Sequence, residues 1–151
     1  MTIEQKIQQT KFTNPYQKLA LNLIYTCRNL EFFLTHQFKK HDLTSQQYNI
    51  LRILRGSNPT PLSTQQIRER MVDKMSDTSR IVDRLLLKKL VTKKICHADN
   101  RLVEVRITAK GLKLLQKLDN VDNSLAVYLN ALTEREVNQL NKLLDKINSK
   151  S

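Results

Sequence analysis

The sequence contains few residues that break regular structure. Two glycines and three prolines among 151 residues leave little room for an all-β fold, which uses such residues at its many turns. The two cysteines, Cys27 and Cys96, do not form a CxxC pair, so neither a disulfide framework nor a structural zinc site is indicated. No apolar run approaches the roughly 20 residues that a membrane-spanning helix needs.

The same scarcity extends to targeting and catalytic signals. The first ten residues, MTIEQKIQQT, are polar and lack a signal-peptide pattern, so we expect a cytoplasmic protein. His36, His41 and His97 have neither metal-ligand nor catalytic-triad spacing, and there is no phosphate-binding glycine loop. We therefore expect no enzyme, no metal and no cofactor. The length fits one domain, residues 1–151, and is too short for two independent ones.

Positive charge is abundant and concentrated. The formal net charge is +12, which favours a polyanionic partner such as double-stranded DNA over a merely solvated basic surface. Residues 84–110 contain eight basic and two acidic side chains, whereas residues 112–151 contain six basic and five acidic ones. This segregation is typical of an anion-binding module attached to a scaffold with another purpose.

Helix starts can be located by their capping residues. Thr44, Ser63 and Thr133 are each followed three residues later by Gln or Glu, the capping-box pattern, and Ser76 or Asp77 can cap a further helix. Alternation of apolar and polar residues then predicts a two-stranded hairpin, the wing. The predicted elements are helices at about 15–38, 44–55, 63–71 and 76–88, the wing at 91–107, and helices at 108–130 and 133–148.

The terminal helices carry apolar stripes at three- and four-residue spacing and are longer than a small domain needs for its own core. We expect these helices to form a two-fold homodimer, with packing inside one chain as the alternative. The stripes of the last two helices are Leu112, Leu115, Leu118, Val121, Leu125 and Leu129, followed by Val137, Leu140, Leu144 and Ile147.

The order of elements and four segments, LSTQQIRERM, SRIVDRLLLKKLV, DNR and VRITAKG, resemble the multiple-antibiotic-resistance regulator (MarR) family of bacterial transcription factors. The resemblance implies a mainly α fold with a small β wing: a winged helix-turn-helix at about 43–109 between dimerisation helices at about 1–42 and 110–151. It also implies a homodimeric repressor that binds a palindromic operator and is released by a small-molecule or oxidative signal. The recognition helix, about 76–88, would enter the major groove and the wing the minor groove.

The resemblance places DNA contacts on specific residues. Arg80 is the main candidate for reading a guanine, with a solvated or Asp83-paired surface charge as the alternative for Arg80 and Arg84. Arg101 matches a minor-groove arginine oriented by Asp99, and Lys89 stands where the family commonly has glycine. The full set is Ser76, Asp77, Ser79, Arg80 and Arg84 on the recognition helix, Lys93, Lys94, Asp99, Arg101 and Arg106 on the wing, and Ser63, Thr64 and Gln65 as phosphate contacts at a helix start.

Sensing residues are harder to assign. Tyr25, Arg28 and His36 on the first long helix could line a ligand cleft, although packing roles are the simpler interpretation. Cys27 is expected to be a buried structural cysteine, whereas oxidation of Cys96 on the wing could disturb DNA contact. Two other functions stay open: a non-specific, chromatin-type DNA-binding protein and a winged-helix protein-interaction module.

Overall fold

A computed structural model of the chain describes residues 1–96 and 99–149, without the side chains of residues 96, 99–102 and 122. The chain divides into two compact units, residues 1–115 and residues 116–151. The elements in chain order are α1 (Ile3–Ile7), α2 (Pro15–Lys39), α3 (Ser45–Ser57), α4 (Thr64–Arg70), α5 (Thr78–Leu87), β1 (Val91–Cys96), β2 (Asp99–Ile107), α6 (Ala109–Leu118), α7 (Asn120–Tyr128) and α8 (Glu134–Asn148). The mainly helical fold with a small β wing is confirmed.

The predicted capping boxes form as expected. The Thr44 hydroxyl accepts the Gln47 N–H at 3.1 Å, and the Gln47 side chain accepts the Thr44 N–H at 3.1 Å. Ser63 and Gln66 make the same exchange at the start of α4, as do Thr133 and Glu136 at the start of α8. Because each box satisfies two otherwise unpaired amides, these helix starts could be located from sequence alone.

The core of the first unit lies between the helices and the wing. Ile50, Leu51 and Leu54 of α3 are at most 1% exposed. Buried apolar residues on the other elements complete this core: Ile67 of α4, Val82 and Leu85 of α5, Val91 of β1 and Val105 of β2. The buried apolar residues of α5 pack into this core and fix the orientation of the helix, whose opposite face is left to solvent.

The wing is an antiparallel hairpin. Its register pairs Val91 with Ile107 and Ile95 with Val103, and it becomes irregular between Ile95 and Cys96. The sequence did not predict that Leu62, just before α4, adds a single bridge to Val105, with backbone bonds of 3.1 and 2.9 Å. This bridge joins the base of the wing to the start of α4.

The end of α5 has the left-handed geometry that its position in the sequence suggested. Lys89 has a φ of +58°. Its N–H donates to the Leu86 carbonyl at 2.9 Å, and the Leu90 N–H donates to the Leu85 carbonyl at 3.0 Å, which together form a Schellman motif. Glycine is the residue that adopts this conformation without strain, so Lys89 destabilises the turn slightly.

We expect Lys89→Gly to raise the free energy of unfolding by roughly 0.5–1 kcal/mol, because it relieves the left-handed strain at the helix end. Lys113→Gly, at an exposed position inside α6, is the matched control and is expected to lower stability by about 1 kcal/mol. Urea denaturation measures both variants. A lower stability for Lys89→Gly would contradict this explanation.

The prediction of one continuous helix from 108 to 130 is wrong. α6 ends at Leu118 and α7 begins at Asn120, with Asp119 between them. The segment after Leu118 reads Asp-Asn-Val-Asp-Asn-Ser, and short polar side chains of this kind compete with the helix for backbone hydrogen bonds. The apolar spacing continues across these residues and predicts an unbroken helix, whereas their low helix propensity favours the interruption.

Two helices carry apolar side chains that the described part of the chain leaves exposed. No residue of α8 is buried, and Leu140, Leu143 and Ile147 are 43%, 52% and 47% exposed. On α2, Ile24 and Phe32 are 58% and 78% exposed. The helix α1, which the sequence did not predict, covers another part of α2, where Lys6 lies 4.8 Å from the centre of the Tyr25 ring.

Candidate nucleic-acid interface

The helix α5 begins with a side-chain cap and has two distinct faces. Asp77 accepts the Arg80 N–H at 3.2 Å, so it caps the helix as predicted. Thr78, Val82 and Leu85 face inward and are buried, and the Thr78 hydroxyl donates to the Met71 sulfur at 3.3 Å. The helix is therefore fixed by its cap and its inner face.

The outer face of α5 carries the predicted DNA-contacting side chains. Ser79, Arg80 and Arg84 are all exposed. Within the described residues, neither arginine has an ion pair or a side-chain hydrogen bond. Pairing with Asp83, the alternative interpretation of these arginines, is not what the structure shows, because Asp83 binds Lys93 instead. Two guanidinium groups are thus available to an external anion.

The wing residues have different surroundings. Lys93 of β1 forms a 2.8 Å ion pair with Asp83 of α5, which holds the wing against this helix. Arg106 donates to the Pro59 carbonyl and lies 3.7 Å from Glu104. Lys94 points to the other face of the hairpin from Lys93 and is exposed. Phosphate contact stays a prediction for all three cations. Among the described residues, Lys93 and Arg106 have protein partners, whereas Lys94 has no ion pair or side-chain hydrogen bond.

The tip of the wing cannot be compared with its predictions. The side chains of Asp99 and Arg101, assigned to the minor groove, lie outside the described residues, as does the side chain of Cys96. His97 lies outside them altogether.

The turn before α5 contains a residue that sequence reasoning missed. Asp73 accepts the Ser76 hydroxyl at 2.8 Å and the Met75 N–H at 3.0 Å. The Ser76 hydroxyl, with the Met75 N–H, holds the pKa of the Asp73 carboxyl below its ordinary value. In an Asx turn the aspartate side chain accepts the backbone N–H two residues later, and a serine one residue further on can add a hydroxyl, so the Asp73-x-x-Ser76 spacing could have indicated this turn. Ser76, predicted to contact DNA, thus also orders this turn.

The helices α4 and α5 border one open groove of about 1010 Å³. Thr64 and Gln65 from α4 line it together with Ser79 from α5, as does Arg68, which the sequence analysis did not single out. The Ser63 hydroxyl is occupied by the capping bond to Gln66. The structure thus brings the predicted residues of two helices to one surface.

The predicted ligand-cleft residues have different surroundings. Arg28 is paired with Glu31 at 3.1 Å and lines a second open groove of about 640 Å³, with Thr35 among its other residues. Tyr25 and His36 do not line this groove. Their role in ligand binding stays a prediction. Cys27 is exposed, so the expectation of a buried cysteine was wrong: its position on α2 faces away from the core of its own unit.

No helix in the described part of the chain combines the length and apolarity of a membrane span. No group of three or more His, Cys, Asp or Glu side chains among residues 1–96 and 99–149 could hold a metal ion.

Residues 43–103, which include α3, α4, α5 and much of the wing, match the model of the MarR family. A solved MarR transcription factor from Planctomyces limnophilus is 32% identical, with a TM-score of 0.70 over 89% of this chain and 98% of that one. The chain belongs to the MarR family. The HTH-type transcriptional regulator MhqR of Bacillus subtilis (strain 168) is 26% identical over 86% of this chain and 89% of its own length. The HTH-type transcriptional repressor IacR of Pseudomonas putida is 30% identical over 72% of this chain and 65% of its own length.

MarR membership gives the elements their functional names. In this MarR-family chain, β1 with β2 is the wing, and α4 with α5 is the pair expected to form the helix-turn-helix, with α5 as the predicted recognition helix. The chain is a DNA-binding transcription regulator. The predicted family, fold class and regulatory function are thereby confirmed.

Proposed function

We propose that this MarR-family regulator binds a palindromic operator as a homodimer and represses the adjacent genes. The observation that carries the proposal is the outer face of α5, where Arg80 and Arg84 are exposed and have no ion pair within the described residues. A guanidinium in the major groove can donate two hydrogen bonds to guanine. The adjacent wing adds positive charge for phosphate contacts, which position the protein without specifying a sequence.

Dimerisation is proposed for the helices outside the DNA-binding part, at about 1–42 and 110–151. The exposed apolar side chains on α2 and α8 support it, because such faces are unfavourable in water and a second copy of the chain can cover each of them. Two copies would present two recognition helices to half-sites whose centres are about 10 base pairs apart.

We expect a solution mass of twice the chain's 17.7 kDa in sedimentation equilibrium at micromolar concentration, because the apolar faces of α2 and α8 need a partner. Myoglobin, a monomer of similar size, is the reference for the measurement. A single species at 17.7 kDa, unchanged on concentration, would refute the dimer.

Repression and release complete the proposal. The relative IacR is described as a repressor, which supports the same direction of control for this chain. Release would follow binding of a small-molecule effector, for which Tyr25, Arg28 and His36 are candidate residues, or oxidation at an exposed thiol such as Cys27. The protein would act in the cytoplasm, where the DNA is, and would carry out no catalysis.

The proposed function can be tested by selecting bound fragments from a genomic library at physiological salt and footprinting the strongest one. We expect two protected half-sites about one helical turn apart, upstream of a gene whose transcription falls when the protein is present. Equal recovery of all fragments, with binding that declines steeply with salt, would instead identify a non-specific chromatin-type protein. Absence of DNA binding even at low salt would identify a protein-interaction module.

A further inference from the structure

Leu87 is an apolar side chain in an unusual place. It lies in the last turn of α5 and is 83% exposed, whereas Val82 and Leu85 on the same helix are fully buried. At about 100° per residue, Leu87 is turned about 200° from Leu85 and only about 20° from Arg80, seven residues earlier. Leu87 therefore occupies the centre of the outer face of the recognition helix, in line with Arg80.

The surroundings of Leu87 on this face are basic. Arg84 and Arg80 precede it on the helix by about one and two turns, and Lys93 lies beside the helix in its ion pair with Asp83. A protein partner that bound an apolar anchor here would have to cover two cations that have no ion pair within the described residues. A DNA duplex satisfies both requirements, because phosphates and guanines accept from arginine and the thymine 5-methyl group is the apolar feature of the major groove.

We propose that Leu87 contacts a thymine 5-methyl group in each operator half-site and so acts as a specificity-determining residue. This inference rests on the proposed function, since it requires α5 to lie in the major groove. Leu87 is about 10.5 Å beyond Arg80 along the helix axis. The path along the groove is longer per base pair than the roughly 3.4 Å rise along the duplex axis, so this distance spans about two base-pair steps, and the contacted thymine lies about two base pairs from the base that Arg80 reads.

The experiment removes the methyl group from the DNA and the leucine from the protein in turn. The selected operator duplex is made with deoxyuridine in place of each thymine, one symmetric pair of positions at a time, and its affinity is measured for the full-length protein. The test variant is Leu87→Ala. The matched control is Leu86→Ala, because Leu86 is the neighbouring leucine on the same helix and is only 39% exposed. Thermal melts establish that both variants are folded, and random duplex DNA serves as the non-specific reference.

At one symmetric pair of positions, we expect replacement of thymine by uracil to weaken the operator affinity of both the parent and Leu86→Ala. The expected loss is roughly fourfold per half-site, which is the effect on affinity of burying one methylene-sized group. Leu87→Ala should bind the thymine and uracil duplexes equally. Equal sensitivity of the parent and Leu87→Ala, or no sensitive thymine in the parent, would overturn the inference while leaving operator binding intact. Equal affinity of the parent for operator and random DNA would overturn the proposed function itself, and the inference with it.

Discussion

Gly111→Ala is expected to lower the free energy of unfolding by about 2 kcal/mol or more. A methyl group at position 111 would stand 2.5 Å from the Leu90 carbonyl oxygen and 2.7 Å from Cγ1 of Ile107. The first of these atoms belongs to the backbone, so it cannot move without displacing the turn between α5 and β1. The clash outweighs the gain of up to about 1 kcal/mol that alanine brings to an ordinary helix position.

Other contacts keep Gly111 close to that turn. The Thr108 hydroxyl accepts the Gly111 N–H at 3.1 Å and donates to the Lys89 carbonyl at 2.9 Å. The Thr108 N–H also donates to the Leu90 carbonyl at 3.0 Å. The start of α6 is thus bonded to the turn that follows α5, and a displacement at Gly111 would be transmitted to the end of that helix.

The other glycine is the matched control. Gly56 lies in the last turn of α3, and a methyl group there would meet nothing within 4 Å. Gly56→Ala is expected to raise stability by roughly 0.5–1 kcal/mol through helix propensity. Urea denaturation of the two variants should therefore give effects of opposite sign. If Gly111→Ala were as stable as the parent, the close approach to Leu90 would not constrain this position.

Arg80→Ala is expected to reduce operator affinity by roughly 1–3 kcal/mol per half-site and to leave affinity for random DNA much less changed. The reason is that Arg80 is exposed on the outer face of α5 and has no ion pair within the described residues. Arg80→Lys should restore little of the loss, because an ammonium group cannot reproduce the two parallel bonds of a guanidinium to guanine. Fluorescence anisotropy with operator and random duplexes at the same salt concentration measures both affinities.

Arg135→Ala is the control for charge alone, since Arg135 is exposed on α8. It should leave the ratio of operator to random affinity unchanged. A loss for Arg80→Ala that is equal on both duplexes, with a salt dependence reduced by about one phosphate contact, would mean that Arg80 binds phosphate and reads no base.

The features predictable from sequence were those determined by local chemistry. Capping boxes such as Thr44 with Gln47 need only residues three apart, and the inner face of α5 follows from helical spacing. The left-handed geometry at Lys89 was suggested by the family resemblance. The close approach of Gly111 to the Leu90 carbonyl was not predicted, because these two residues are far apart in the sequence.

Contacts between distant parts of the chain could not be predicted in this way. The ion pair of Asp83 with Lys93 depends on how the wing folds back on α5, and many exposed carboxylates could have paired with Lys93 equally well. The bridge of Leu62 to Val105 is a single residue long and leaves no periodic pattern. The break at Asp119 was visible in the composition, but apolar spacing that continued past it was the stronger signal.

The ratio of operator to random-DNA affinity at physiological salt tests the central claim most directly. A regulator that reads bases through the outer face of α5 is expected to prefer its selected operator by about 10³-fold or more. That preference should depend on both half-sites, because two recognition helices are engaged. A ratio near one, with binding that depends only on salt, would contradict sequence-specific recognition by this protein.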